Sequence, residues 1–169
     1  WPPPDRRHPQ GLWWVVADVA VAALFTWITV VSLQSKAYVD LYGPITGAGW
    51  LLALSPNALL LVRRHAPVVA LGAATVLYLL ASATQGDSNA PLALPLFTYS
   101  VGLTRPSRVS ATLVAAAALA LSTASFYGPG EPDALVVVVW FLLCGSGWAL
   151  ALGVRRNQRL AERLSQAVD

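Results

Sequence analysis

The chain has 169 residues, 56% of them hydrophobic and only 11% charged, with a formal net charge of +3. A soluble globular domain carries about 25% charged residues, so this composition, with a mean hydropathy of +0.59, excludes an ordinary soluble enzyme or binding module. The pI near 9.4 would normally raise nucleic acid as a partner. Here the arginines end apolar runs, where they act as topology signals and anionic-lipid contacts, and no nucleic-acid binding is expected.

Six long apolar stretches, uncharged except for Asp18 in the first, follow in chain order: residues 12–33, 43–61, 66–84, 90–104, 109–127 and 134–154. A hydrocarbon core about 30 Å thick takes about 20 apolar residues as a helix. The pattern therefore predicts an all-α integral membrane protein, a six-helix transmembrane bundle whose last helix extends into the cytoplasm. Residues 1–11 form a Pro-rich cytoplasmic lead-in, residues 12–154 the membrane domain and residues 155–169 a cytoplasmic linker helix. The first residue is Trp1 and the chain holds no methionine, so the natural start is expected upstream. The first apolar run lacks the small-residue cleavage pattern of a signal peptide.

Trp13 and Trp14 open the first span as interfacial aromatics do. The second span holds Pro44 and Pro56; the latter is expected to bend or interrupt it, because proline removes a backbone donor and clashes with the preceding turn. Arg63 to Ala66 make a tight turn, and Pro67 opens the third span in the favourable early-helix position. The fourth span is short, carries Pro91 and Pro95, and would reach only about 22 Å as a straight helix. It is expected to thin the bilayer, extend outward or start below the surface behind its neighbours. The fifth is alanine-rich. The sixth runs from Val136–Val139 to Gly145-Ser146-Gly147-Trp148 and should continue unbroken into a tail of good helix formers, with Gly153 as a possible bend point.

Charge fixes the orientation. Ten of the eleven Lys and Arg residues (Arg6, Arg7, Arg63, Arg64, Arg105, Arg108, Arg155, Arg156, Arg159 and Arg163) fall on one side of the alternating pattern. Lys36, Asp40, Asp87, Glu131 and Asp133 fall on the other. Positively charged short loops stay inside, so both termini are expected in the cytoplasm, and the short outer loops leave no room for an extracellular domain.

Few side chains carry chemistry. Asp18 is the one charged residue well inside a span, at a depth where a lone carboxylate costs a few kcal/mol. It is either a protonatable switch or an anchor reaching Arg63, Arg64 or Arg105 at the inner interface. The anchor is the favoured reading, since no second intramembrane acid, His or Lys continues a proton path. Small residues at spacing four, Thr112, Ala116, Ala120 and Ala124, are expected to pack within the bundle. Gly145, Ala149 and Gly153 form a second such line, either internal packing or a dimer face. Leu150, Gly153, Asn157, Leu160, Leu164 and Ala167 follow coiled-coil spacing, with Asn157 as the polar register residue; the alternative is an amphipathic tail lying on anionic lipid. This seam is expected to run on beyond Asp169. His8 and His65 read as solvated loop residues. The single Cys144 allows no internal disulfide and no zinc cluster. No catalytic residue and no metal site is expected.

The early Asp18, the Arg-Arg-His-Ala-Pro turn (Arg63 to Pro67), the Pro-interrupted fourth span and the exit from Gly147 to Arg156 together resemble the N-terminal membrane region of actinobacterial sensor histidine kinases that pair with LuxR-type response regulators. The resemblance covers essentially the whole chain, with the exit segment its most specific part. It implies a homodimeric sensor in the bacterial plasma membrane, with Gly147 to Arg156 as exit helix and Leu160 and Leu164 as the first core layers of a signalling coil. ATP and Mg would serve a kinase core beyond Asp169, which would phosphorylate the response regulator. The stimulus would be lipid state, a small hydrophobic ligand or a partner membrane protein. A small transporter or channel, or an accessory membrane-interaction protein, is the alternative; against transport stand the missing repeat and the missing paired broken helices.

Topology is directly measurable. Reporters fused after Arg64, Arg108 and Asp169 are expected to behave as cytoplasmic, and those after Asp40, Gln85 and Gly130 as external. An external reporter at Asp169 would remove the six-span arrangement.

Overall fold

The computed structural model describes residues 9–35, 39–40, 43–85, 93–125 and 134–168. The expectations placed on Arg6, Arg7, His8, Lys36, Asp87, Pro91, Glu131 and Asp133 lie outside the described residues. Six main helices run through the rest: α1 Pro9–Leu33, α2 Gly47–Leu59, α3 Pro67–Gln85, α4 Leu94–Thr104, α5 Ser107–Ser125 and α6 Ala134–Val168. No strand occurs among the described residues. Three helices contain stretches long and apolar enough to cross a membrane, Trp13–Leu33, Pro67–Thr84 and Val137–Gln166.

The prolines and small polar residues set where helices begin and end. Gly43 takes a φ of 78°, a left-handed turn open to glycine, and leads through Pro44 to Thr46. The Thr46 side chain caps α2 by accepting from the Gly49 amide at 3.2 Å. Pro56 lies inside α2 and cannot donate to the Leu52 carbonyl one turn back. The Ser55 hydroxyl donates to that carbonyl instead, at 3.3 Å. Beyond Pro56 the chain tightens into three-residue turns, with Leu60, Leu61 and Val62 amides donating to the Asn57, Ala58 and Leu59 carbonyls. The expected interruption is present, and α2 is correspondingly shorter than the apolar stretch that contains it.

The shortest helix is the most enclosed. α4 has 11 residues, about 16 Å of helix, and Pro95 sits in its first turn. Phe97, Thr98, Val101 and Leu94 are all sealed from the exterior. α4 packs against α3, α5 and most extensively α6. α4 is not among the helices long enough to cross a membrane, and enclosure by protein is the setting in which short helices among apolar neighbours are tolerated. Its hydroxyls are internally satisfied: Thr98 donates to the Pro95 carbonyl at 3.1 Å and Ser100 to that of Leu96 at 2.9 Å.

α4 and α6 approach so closely that side chains are excluded between them. A Cβ on Gly147 would overlap the Pro95 carbonyl and the Thr98 hydroxyl, and one on Gly102 would lie 2.6 Å from Ala151 Cβ. Small residues allow such contact where lipid supplies no hydrophobic drive. The pairings rise together along both helices, from Pro95–Gly147 to Gly102–Ala151, so α4 and α6 run parallel. By contrast Thr29 meets Asn57 while Asp18 meets Arg63, which makes α1 and the α2 segment antiparallel. α1 packs on α2 and leaves Trp13, Val16, Val19, Leu24 and Trp27 on the outside.

One packing expectation is corrected. The α5 line does not face the bundle: Thr112 and Ala116 are exposed and Ala120 only half-buried, while the side chain of Ala124 lies outside the described residues. The buried face of α5 is Ser110, Val114, Ala117, Ala118 and Leu121. Steps of four residues drift by about 40° each around a helix of 3.6 residues per turn, and in a helix this rich in alanine a small-residue line forms on any side.

Gly147→Ala is expected to lose about 1–3 kcal/mol of stability through overpacking. Gly145, two residues away, has nothing within 4 Å of an added Cβ, and Gly145→Ala is expected to gain about 0.5–1 kcal/mol from helix propensity. Thermal unfolding of the two variants in detergent checks the contrast.

Candidate functional site

Asp18 is buried on α1, about 8 Å into the apolar stretch that begins at Trp13. Two consecutive arginines of the α2–α3 turn converge on it. Arg63 donates from Nη2 to Oδ1 at 2.9 Å, and Arg64 donates from its own Nη2 to the same oxygen at 3.1 Å. Arg64 Nε makes a charge contact with Oδ2. The side chains of Asp18 and Arg63 are 9% and 10% exposed, that of Arg64 23%. Arg64 also lies over the Trp14 ring, 4.8 Å from its centroid, a distance at which a guanidinium is attracted to the aromatic face. Of the three arginines expected within reach of Asp18, Arg63 and Arg64 are the ones that engage it. It ties the start of the first long helix to the turn that follows the second.

A neutral tie between α1 and α2 lies farther along α1. Asn57, buried at the end of α2, donates to the Thr29 hydroxyl of α1 at 3.1 Å, and Thr29 in turn donates to the Phe25 carbonyl at 2.8 Å. Both residues were passed over in the sequence. The signal available was an asparagine inside an apolar stretch, immediately after a helix-interrupting proline.

The exit of the chain is held by a second group of contacts. Trp148 of α6 donates from its indole to the Ser110 hydroxyl of α5 at 2.9 Å. Arg155 reaches the end of α4 and donates from Nη1 to the carbonyls of Gly102 and Arg105, at 3.1 and 2.6 Å. Terminal carbonyls of a helix lack intrahelical partners and carry partial negative charge, so a cation there is stabilised twice. Arg155 thus has a structural role. α6 itself passes through Gly153 without interruption and extends to Val168, 35 residues in all.

The positions singled out on α6 are distributed as follows. Gly145 is half-buried, and Ala149 and Gly153 are exposed; the internal packing face is instead Cys144, Gly147 and Ala151, all buried. Asn157, Leu160 and Leu164 are exposed, the two leucines at 51% and 69%. The contact face was missed because glycine spacing does not report azimuth: Gly145 and Gly147 are two residues apart and lie about 200° apart around the helix. His65 is exposed in its turn. No group of three or more His, Cys, Asp or Glu side chains that could hold a metal ion occurs among the described residues.

Comparison with models of known families, with curated proteins and with solved structures finds no match in any of the three. The class rests on the fold: an all-helical chain with three helices long and apolar enough to cross a membrane.

Removing Asp18 would leave the buried Arg63 charge uncompensated, and Asp18→Ala is expected to cost about 3–5 kcal/mol. Arg64→Ala removes the more exposed partner and should cost only about 1 kcal/mol. Unfolding in a zwitterionic detergent distinguishes the two; equal losses would contradict the triad's organisation.

Proposed function

We propose that this chain is the membrane-embedded sensor module of a bacterial two-component histidine kinase, a six-span unit of the plasma membrane with both termini cytoplasmic, acting as a homodimer. The observation that carries the reading is α6: one unbroken helix of 35 residues, about 52 Å long against a hydrocarbon core of about 30 Å. Such a helix exits the bilayer as a rigid rod. The parallel course of α4 and α6 supports the topology, as fourth and sixth spans of an alternating array must run the same way.

The contacts suggest how a signal moves. α4 is enclosed by α3, α5 and α6, so a change in lipid packing, a hydrophobic ligand or a partner membrane protein that shifts the bundle displaces α4. Gly147 seats α6 directly on α4, and Arg155 ties the exit point to the α4 terminus. A rotation, piston or tilt of α4 is then passed to the tail, where Leu160 and Leu164 change register against the second copy. Packed helices exchange between discrete arrangements, which suits an on–off output. ATP and Mg belong to the kinase core, as does the response regulator's docking site, and no residue of this chain is assigned to them. Transport is the weaker reading, because Asp18 is engaged by two guanidinium groups and offers no free carboxylate to cargo.

The intact gene product in inverted membrane vesicles, given labelled ATP and Mg, is expected to take up an acid-labile, base-stable phosphoryl group. Single cysteines at 160 and 164 should cross-link between chains more readily than at 159 and 162. An intact protein without phosphoryl uptake would end the kinase reading, and uniform cross-linking around the tail would end the coil.

A further inference from the structure

We propose that Arg64, backed by Trp14 and by the Asp18–Arg63 pair, is a binding site for a phosphate oxyanion, supplied by an anionic lipid headgroup at the membrane interface. The inference rests on the membrane placement of the chain and is independent of any kinase core. Two guanidinium groups share one carboxylate, so the cluster carries an excess positive charge. The sharing is unequal. Asp18 Oδ1 accepts one hydrogen bond from each arginine, and Oδ2 makes a charge contact with Arg64 alone. Arg63 Nε and Nη1 are buried and have no hydrogen-bond partner, and neither has Arg64 Nε, so the one carboxylate leaves donors of both guanidinium groups unmet. Buried donors of a charged group are costly to leave unmade.

A phosphate seated on Arg64 resolves this imbalance. Arg64 is the more exposed of the two, and its stacking over Trp14 holds the planar fork at the depth where interfacial aromatics and headgroups meet. Once a phosphate oxygen pair takes the Arg64 fork, Asp18 is released to bind Arg63 with both oxygens, the bidentate geometry in which Arg–carboxylate pairs are strongest. Each guanidinium then faces its own anionic acceptor and the cluster is neutral. Arginine, unlike lysine, fits both halves of this exchange because its donors lie in a fixed plane.

The test uses the chain in phosphatidylcholine nanodiscs, with dioleoyl-phosphatidylglycerol added stepwise, or with inorganic phosphate added to the buffer instead. Lipid occupancy is read by native mass spectrometry and stability by the thermal midpoint. Wild type is expected to bind phosphatidylglycerol selectively and to gain thermal stability from it, while inorganic phosphate has little effect. Arg64→Gln should weaken that binding about tenfold or more, and Gln158→Ala on the exposed tail should leave it unchanged. Asp18→Asn keeps both arginines and raises the excess charge, so its gain from phosphatidylglycerol should exceed that of wild type. Equal lipid preference in wild type, Arg64→Gln and Asp18→Asn would overturn the site. A response to inorganic phosphate equal to that with lipid would overturn the headgroup as its source. Failure of the chain to enter nanodiscs at all would instead overturn the membrane placement.

Discussion

The contact between α4 and α6 is possible only because two glycines leave backbone and side chain room to meet. Gly147 rests on the Pro95 carbonyl and Thr98 hydroxyl, and Gly102 faces Ala151. Lipid tails are as apolar as leucine, so helices in a bilayer gain little by hiding apolar surface and associate through close packing and hydrogen bonds. That constraint explains why the most enclosed helix is also the shortest. α4 cannot span the hydrocarbon by itself, and its exposed ends would be penalised in lipid. Surrounded by α3, α5 and α6, it needs neither the length nor the lipid-facing surface of a full span.

Polar groups then lock the packed bundle at defined levels. Asp18 with Arg63 and Arg64 fixes the start of α1 against the α2–α3 turn, and Asn57 with Thr29 fixes α1 to the end of α2 farther along. Arg155 and Trp148 fix α6 to the end of α4 and the beginning of α5. The two groups use different physics. The first is a charge cluster whose cost of burial is offset only while its partners remain together. The second satisfies terminal carbonyls that would otherwise lack donors. Together they leave α1 peripheral and α6 held at the point where it leaves the bundle.

Much of this was legible in advance because the bilayer is a severe filter. Apolar run length and proline position predicted the helices, the interruption at Pro56 and the shortness of the fourth helix. Asp18 was marked because an ionised group among apolar neighbours must find a partner, and Arg63 and Arg64 stood among the candidates. The unread part consists of contacts that depend on azimuth. Thr112 and Ala116 had the right residue types for packing but face outward, and the line through Gly145, Ala149 and Gly153 lies away from the α4 contact. Asn57–Thr29 and Trp148–Ser110 join residues far apart in sequence, and no local periodicity reports such pairs.

The sequence by itself determined the helical class, the places where helices start, tighten and stop, and the need of Asp18 for a counter-charge, since each follows from the local cost of putting a residue into hydrocarbon. Only the tertiary structure decided which helix is central, which glycines bear the contact, and that Arg155 completes the end of α4. Those outcomes depend on how far each helix is rotated about its axis and how close two backbones approach. Neighbouring helices fix both quantities jointly, and neither is written into any one segment.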